Sequence, residues 1–349
     1  MTKLLDEAVR KLFNASADNY IFVYTPPKVG STTLVTSLRV SLDKRYTTAH
    51  IHDEVMLSVL TGVTGVTIND LIHHLSTQGK KVFVIDVYRT PVERKMSEFF
   101  EKISPYHFNN SADNIAGYSL SRIVDRFNKV FPHIEYTDHY LDKYDIPNPV
   151  PFDVERKHSV QTVRRIQYIK LRLRDVSAWG DILSKIFCAD VVVIPEYQTE
   201  DKPIGALYKR FKAEYKLPSN YVDLIREDKN LRFYYSELER SQYIEEWSAN
   251  ATSAVVPYTP NEFAFYMNVC LENQYINDVD THHYIDNGCF CAGCVKQRKD
   301  IFYRAKAGET KFAKMVHSYA IKNSSVPFQK KFKPRQFAIH ISNRRGRKR

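Results

Sequence analysis

FVYTPPKVGSTTLVTSL, residues Phe22 to Leu38, sets how the rest of the chain is read. An apolar run of strand length leads through two prolines to a glycine, then to hydroxyl residues that open a helical pattern. A helix start of this kind offers unpaired N–H groups to an anion, and Gly30 lets the backbone approach it closely. The order is unusual, because a Walker loop has its lysine directly before the hydroxyl residue. Here Lys28 precedes Gly30, and Ser31, Thr32 and Thr33 follow. The plain alternative is a helix capped by Ser31 or Thr32, with no ligand.

A second stretch, VFVIDVYRTPVERKMSEFF from Val82, narrows the choice. Its near-continuous apolar run suits a strand buried on both faces. Arg89 falls at the carboxyl end, where open parallel sheets bind ligands, and offers a bidentate fork to phosphate. Ser97 follows in the next helix and can add a hydroxyl donor. By itself an Arg-Thr-Pro turn is an ordinary strand exit. Two anion motifs on successive strand ends carry more weight together.

These residues resemble the PAPS-dependent sulfotransferases, whose donor is 3′-phosphoadenosine 5′-phosphosulfate. PPKVGSTTL is similar to their phosphosulfate loop, and YRTPVERKMSEF to their 3′-phosphate motif. The form with PVER is similar to members that act on carbohydrate. LRFYYSELERSQYIEEWS, from Leu231, resembles a closing segment of sulfotransferase-like capsular polysaccharide synthesis proteins. The resemblance covers roughly residues 18–250 and is diffuse between the two motifs. It implies Lys28, Gly30, Ser31, Thr32 and Thr33 around the phosphosulfate, and Arg89 and Ser97 on the 3′-phosphate. It implies sulfuryl transfer to a hydroxyl acceptor, a glycan or polysaccharide. Val29 and Thr33 depart from the pattern of many members, and the late basic loop that also contacts the 3′-phosphate in the family is not placed by any motif here, the segment around Lys202, or Lys209 and Arg210, being its only candidate.

The acceptor hydroxyl needs a general base. AHIHDEV puts His50 and His52 on one face of a second strand, with Asp53 and Glu54 at its end. His52 is the first candidate, since imidazole titrates near neutrality; Glu54 is the second. The alternative is that Asp53 caps the next helix and both histidines are surface groups. His73 and His74 lie mid-helix, one expected to pack on the sheet.

Strands alternating with helices predict a parallel sheet flanked by helices, an α/β fold of sulfotransferase type with a P-loop-like phosphate site. Helices are expected near 4–13, 32–42 and 110–129, and in INDLIHHLSTQG, TPVERKMSEFFEKI, VSAWGDILSKIF, IGALYKRFKAEYKLPSNYVDLIR and SELERSQYIEEWSA. RRIQYIKLRLRD alternates like a half-exposed strand, and VVVIPEY is a candidate late strand. The expected organisation is an N-terminal helix over 1–17, the α/β domain over 18–256, a Cys/His extension over 257–310 and a basic tail over 311–349.

The extension holds CFCAGC. His283, Cys289, Cys291 and Cys294 suit a Cys₃His zinc tetrahedron, with unligated thiols or a disulfide as alternatives. Cys188 and Cys270 sit in apolar contexts and read as buried fillers. Of the net +11, the segment from Lys311 holds 12 Lys or Arg and no acid, leaving 39 basic against 40 acidic residues before it. The tail is a solvated segment, a targeting signal or a contact for anionic polymer. No apolar run reaches the roughly 18 residues of a membrane helix, and no signal peptide is evident. A cytoplasmic protein of bacterial or viral type is expected, without membrane contact. A P-loop small-molecule kinase remains an alternative, with Asp86 as its magnesium carboxylate. So does a nucleic-acid-binding protein on a degenerate sulfotransferase scaffold.

Overall fold

The computed structural model describes residues 1–13, 17–42, 45–108, 110–135, 137–193 and 203–267. It is an α/β fold around a five-stranded sheet: β1 (Asn19–Tyr24), β2 (Tyr46–Ile51), β3 (Lys81–Tyr88), β4 (His158–Val163) and β5 (Ile166–Arg172). The order is β2-β1-β3-β5-β4. The β1 strand pairs in parallel with β2 and β3, and β3 with β5. Only β4, joined to β5 by a tight turn, runs antiparallel. That edge hairpin escapes the sequence pattern, because half-exposed HSVQTV carries too little apolar alternation to read as a strand.

Helices cover both faces. On one, α1 (Thr2–Leu12) and α4 (Ile68–Thr77) bring Leu5, Ala8, Leu71 and Leu75 onto Tyr20, Phe22, Val82 and Val84. On the other, α2 (Ser31–Ser41) and α9 (Trp179–Phe187) bring Leu34, Leu38, Trp179 and Leu183 onto Val23, Ile85 and Ile169. Two short helices come between: α3 (Glu54–Thr61), capped by Asp53 and closed by Gly62, and α8 (His139–Asp142). The Thr67/Asp70 capping box starts α4, and Pro91 opens α5 (Pro91–Glu101), which needs no N–H at its first position.

A third, helical core is built by α5, α7 (Leu120–Val130), α10 (Gly205–Glu214), α11 (Ser219–Arg226), α12 (Lys229–Tyr234) and α13 (Glu237–Ser248) around Phe99, Phe127, Phe131, Phe211 and Tyr221. The helix expected over 110–129 is two: α6 (Ala112–Ala116) stops at Gly117, and Ser119 caps α7 anew.

Three other expectations change. β5 is buried at nearly every position rather than half-exposed, because Lys170 and Arg172 find acidic partners inside. Cys188 is exposed, not a buried filler; it ends α9 in the left-handed region, at φ 51°. Of the two mid-helix histidines, His74 lies against α1, where its Nε2 meets Asp6 at 2.7 Å. Residues 191–193 form no strand, and the rest of VVVIPEY lies outside the described residues. Among the described residues no helix is long and apolar enough to cross a membrane.

Candidate functional site

The carboxyl ends of β1, β2, β3 and β5 share one edge of the sheet. Because β1 lies between β2 and β3, the chain leaves it to one side and returns on the other. Ligand crevices form at such reversals. The loop 25–30 sits there. Lys28 (φ 69°) and Gly30 (φ 87°) both adopt left-handed backbone, and Gly30 is the N-cap of α2. A Cβ on Gly30 would stand 2.8 Å from Leu173 Cδ1, so only glycine fits without movement. No side chain caps α2, which removes the plain capping role for Ser31 and Thr32. Its first N–H groups have no intrahelical partner. Ser31 is buried; Thr32 and Thr33 are half-buried.

The two anion motifs meet. Arg89, just past β3 and half-buried, donates from Nη1 to the Lys28 carbonyl at 2.9 Å. Lys28 Nζ reaches Glu101 of α5 at 2.9 Å. Ser97 is on α5 too, but it is 3% exposed, and no hydrogen bond joins it to Arg89.

The second strand brings its histidines to the same loop. His50 and His52 share a face, with rings 4.6 Å apart. His52 Nδ1 lies 2.6 Å from the carbonyl oxygen of Thr25. A carbonyl only accepts, so Nδ1 carries the proton and Nε2 the lone pair. Burial pulls the His52 pKa below its ordinary value, opposed by the Thr25 carbonyl and Asp53, so the ring is neutral near pH 7. His50 is pushed down to about 3, by burial first and His52 next; its Nε2 is buried without a partner. Asp53 caps α3 by accepting from Met56 N at 2.7 Å. Glu54, in the first turn of α3, accepts from the Tyr24 hydroxyl at 3.4 Å.

Beneath the loop lies a charge cluster that the sequence pattern did not reveal. Lys170 Nζ is fully buried and donates to Asp86 at 2.6 Å and Asp138 at 2.5 Å. Thr25 Oγ1 donates to Asp86 Oδ1 at 2.6 Å, so one threonine touches both this cluster and His52. Tyr234 donates to Asp138 at 2.7 Å. Burial alone would raise the pKa of Asp86, yet Lys170, His139 and its hydrogen bonds hold it below the usual range. Asp138 goes up, by burial first, with Asp86 also raising it against the pull of Lys170. His139 donates from Nε2 to the His52 carbonyl at 2.8 Å, closing the back of the site.

Beside Arg89 opens a cleft of about 350 Å³ lined by Thr90, Arg174, Tyr235, Glu239 and Tyr243 among others. Arg174, after β5, is the second arginine there. Lys209 and Arg210 are instead exposed on α10, and Lys202 lies outside the described residues. Glu239 is tied to buried Arg172 at 2.9 Å and so does not face the cleft as an unpaired charge.

His283, Cys289, Cys291, Cys294, Cys270 and the basic tail lie outside the described residues. Among the described residues no group of three His, Cys, Asp or Glu is placed to hold a metal ion. Compared with protein-family models, curated proteins and solved structures, the chain matches none of them.

Proposed function

We propose that the chain transfers a sulfuryl group from PAPS to a hydroxyl acceptor, a glycan or polysaccharide. The observation that carries this reading is the convergence on one loop: Arg89 on the Lys28 carbonyl, and His52 on the Thr25 carbonyl. Three strand ends thereby supply an uncapped helix start, a guanidinium and a neutral imidazole. The residues fit an anionic donor. Gly30 starts α2 from left-handed backbone, and the hydroxyls of Ser31 and Thr32 border the uncapped helix start.

PAPS supplies an activated sulfuryl group when bound. Ser31, Thr32, Thr33 and the α2 N–H groups would orient it, and Arg89 would hold the 3′-phosphate; the buried Ser97 of α5 would have to be uncovered to join it. Lys28, exchanging Glu101 for the donor, sets its charge against the oxygen that departs. His52 takes the acceptor proton at Nε2, with Glu54 as the second candidate. A magnesium-dependent kinase is less well supported, since Asp86 is fully buried against Lys170.

The test is calorimetric titration with 3′-phosphoadenosine 5′-phosphate against wild type and Arg89→Ala, with ATP as comparator. Micromolar binding that Arg89→Ala weakens by about 2 kcal/mol, the scale of a lost charged hydrogen bond, is expected. No binding, or preference for ATP with magnesium, overturns the proposal.

A further inference from the structure

The amino-terminal edge of the sheet, opposite the candidate site, carries a row of cations. Arg45 precedes β2, Lys80 and Lys81 open β3, and Arg164 and Arg165 form the turn into β5. Lys80 is half-buried and the other four are exposed. Backbone hydrogen bonds set these strand starts side by side. The Arg45 carbonyl accepts from Asn19 N at 3.1 Å, the Asp18 carbonyl from Lys81 N at 3.2 Å, and the Arg165 carbonyl from Val82 N at 3.0 Å. Four strand starts spaced about 4.8 Å apart make a row about 14 Å long. Asp18 is its acid, 3.7 Å from Lys80 Nζ. Before Lys311 the chain holds 39 basic against 40 acidic residues, so five cations beside one acid are a local concentration.

The ordinary causes of surface cations do not account for this row. A cation in the last turn of a helix complements the dipole, as Arg39 does in α2 and Lys185 in α9. Strand starts have almost no such dipole. Lys81 and Arg165 directly precede the paired Val82 and Ile166, so like charges are neighbours across β3 and β5, which costs energy. Arg164 holds φ 56° in the two-residue turn between β4 and β5, left-handed backbone that glycine or asparagine adopts at less cost. Positions that break local rules without a local gain are where function is expected.

We propose that this edge binds an anionic polysaccharide, whose sulfate or carboxylate groups pair with Arg45, Lys80, Lys81, Arg164 and Arg165. The nearest rings, Tyr20, Tyr46 and Phe83, are buried or half-buried, so the row offers charge without the stacking face that single-stranded nucleic acid uses. The choice of polysaccharide rests also on the sulfotransferase reading, in which the product polymer carries sulfates. β3 separates the row from Arg89 by about 23 Å, at 3.3 Å per residue. A stretch of polymer held here is therefore not the stretch that reacts; it keeps the rest of the same chain at high local concentration near the site.

The experiment is titration of the full chain with heparin, a sulfated polysaccharide, over a range of salt. Lys81→Glu/Arg164→Glu/Arg165→Glu should weaken binding by about tenfold or more and make the slope of log affinity against log salt shallower by about three, one for each lost contact. Lys209→Glu/Arg210→Glu/Lys216→Glu, the same change of net charge at exposed positions elsewhere, should weaken it far less. Arg164→Gly suits the left-handed backbone, so it should fold at least as well as wild type and still bind heparin more weakly. Equal losses in the two triple variants, or an Arg164→Gly affinity equal to wild type, overturn the proposal. Tighter binding of a DNA duplex than of heparin, lost in the first triple variant, overturns it in favour of nucleic acid. That variant should bind 3′-phosphoadenosine 5′-phosphate as wild type does. Heparin binding through the row in a wild type that ignores the nucleotide would sink the sulfotransferase reading and uphold the row.

Discussion

His52 Nδ1 and the carbonyl oxygen of Thr25 lie 2.6 Å apart, a contact that joins the end of β2 to the end of β1. The contact sets which nitrogen of the imidazole is basic. Thr25 also holds Asp86 through its hydroxyl. A residue that reads as the last position of an apolar strand therefore links the candidate base to the buried charges.

That link predicts a single tautomer. Nitrogen-15 NMR of the His52 ring should report the Nδ1–H form near pH 7, with protonation only below the ordinary histidine value, the direction that burial imposes. If the chain transfers sulfuryl groups, its activity should persist to lower pH than an unperturbed histidine allows. The Nε2–H tautomer would overturn the assignment of His52 as base.

His50 makes stability depend on pH with a definite sign. Its folded-state pKa of about 3 lies below the unfolded value, so the unfolded chain binds the extra proton. The contribution is complete above about pH 6.5, the ordinary histidine value, and is lost as pH falls towards 3. Urea midpoints measured from pH 7 down to pH 4 should therefore fall less steeply in His50→Gln than in wild type.

Lys170→Met leaves Asp86 and Asp138 buried around an apolar side chain. A broken buried pair costs roughly 3–5 kcal/mol, so the urea midpoint should drop steeply. Adding Asp86→Asn and Asp138→Asn removes both charges and should recover much of that loss. Recovery would identify uncompensated charge, rather than lost volume, as the cause.

Gly30→Ala tests the loop from two sides. It places a Cβ 2.8 Å from Leu173 Cδ1 and in left-handed backbone, which costs about 1–2 kcal/mol for an L-residue. Leu173→Ala in the same chain should relieve the contact but not the backbone term. In the double variant the thermal midpoint should recover at most in part, and affinity for 3′-phosphoadenosine 5′-phosphate should stay reduced.

Glu101→Gln separates stability from binding. The Lys28–Glu101 pair is partly solvated, and such pairs contribute about 0–1 kcal/mol. The thermal midpoint should barely move. On the sulfotransferase reading, nucleotide affinity should rise, because Lys28 no longer has to leave a carboxylate.

Much of the fold is legible from local pattern. The apolar runs of β1 and β3, the glycine at the start of α2, Pro91 and the capping residues each act within a few positions of themselves. The candidate site is legible to the same extent: Lys28, Gly30, Arg89 and His52 could be named from spacing, and they do converge on one loop. Ser97 could be named too, but its buried place on α5 brings it no bond to Arg89.

What sequence alone determined is the alternation of strands and helices and the strand–loop–helix at Gly30, because propensity, caps and periodicity are local terms. Only the tertiary structure decided that Lys170 turns inward, since its partners Asp86 and Asp138 lie 84 and 32 residues away. It likewise decided that Thr25 joins the buried charges to His52. A charged side chain reads as exposed until the packing brings it a counter-charge, and that information is in the contacts between distant segments.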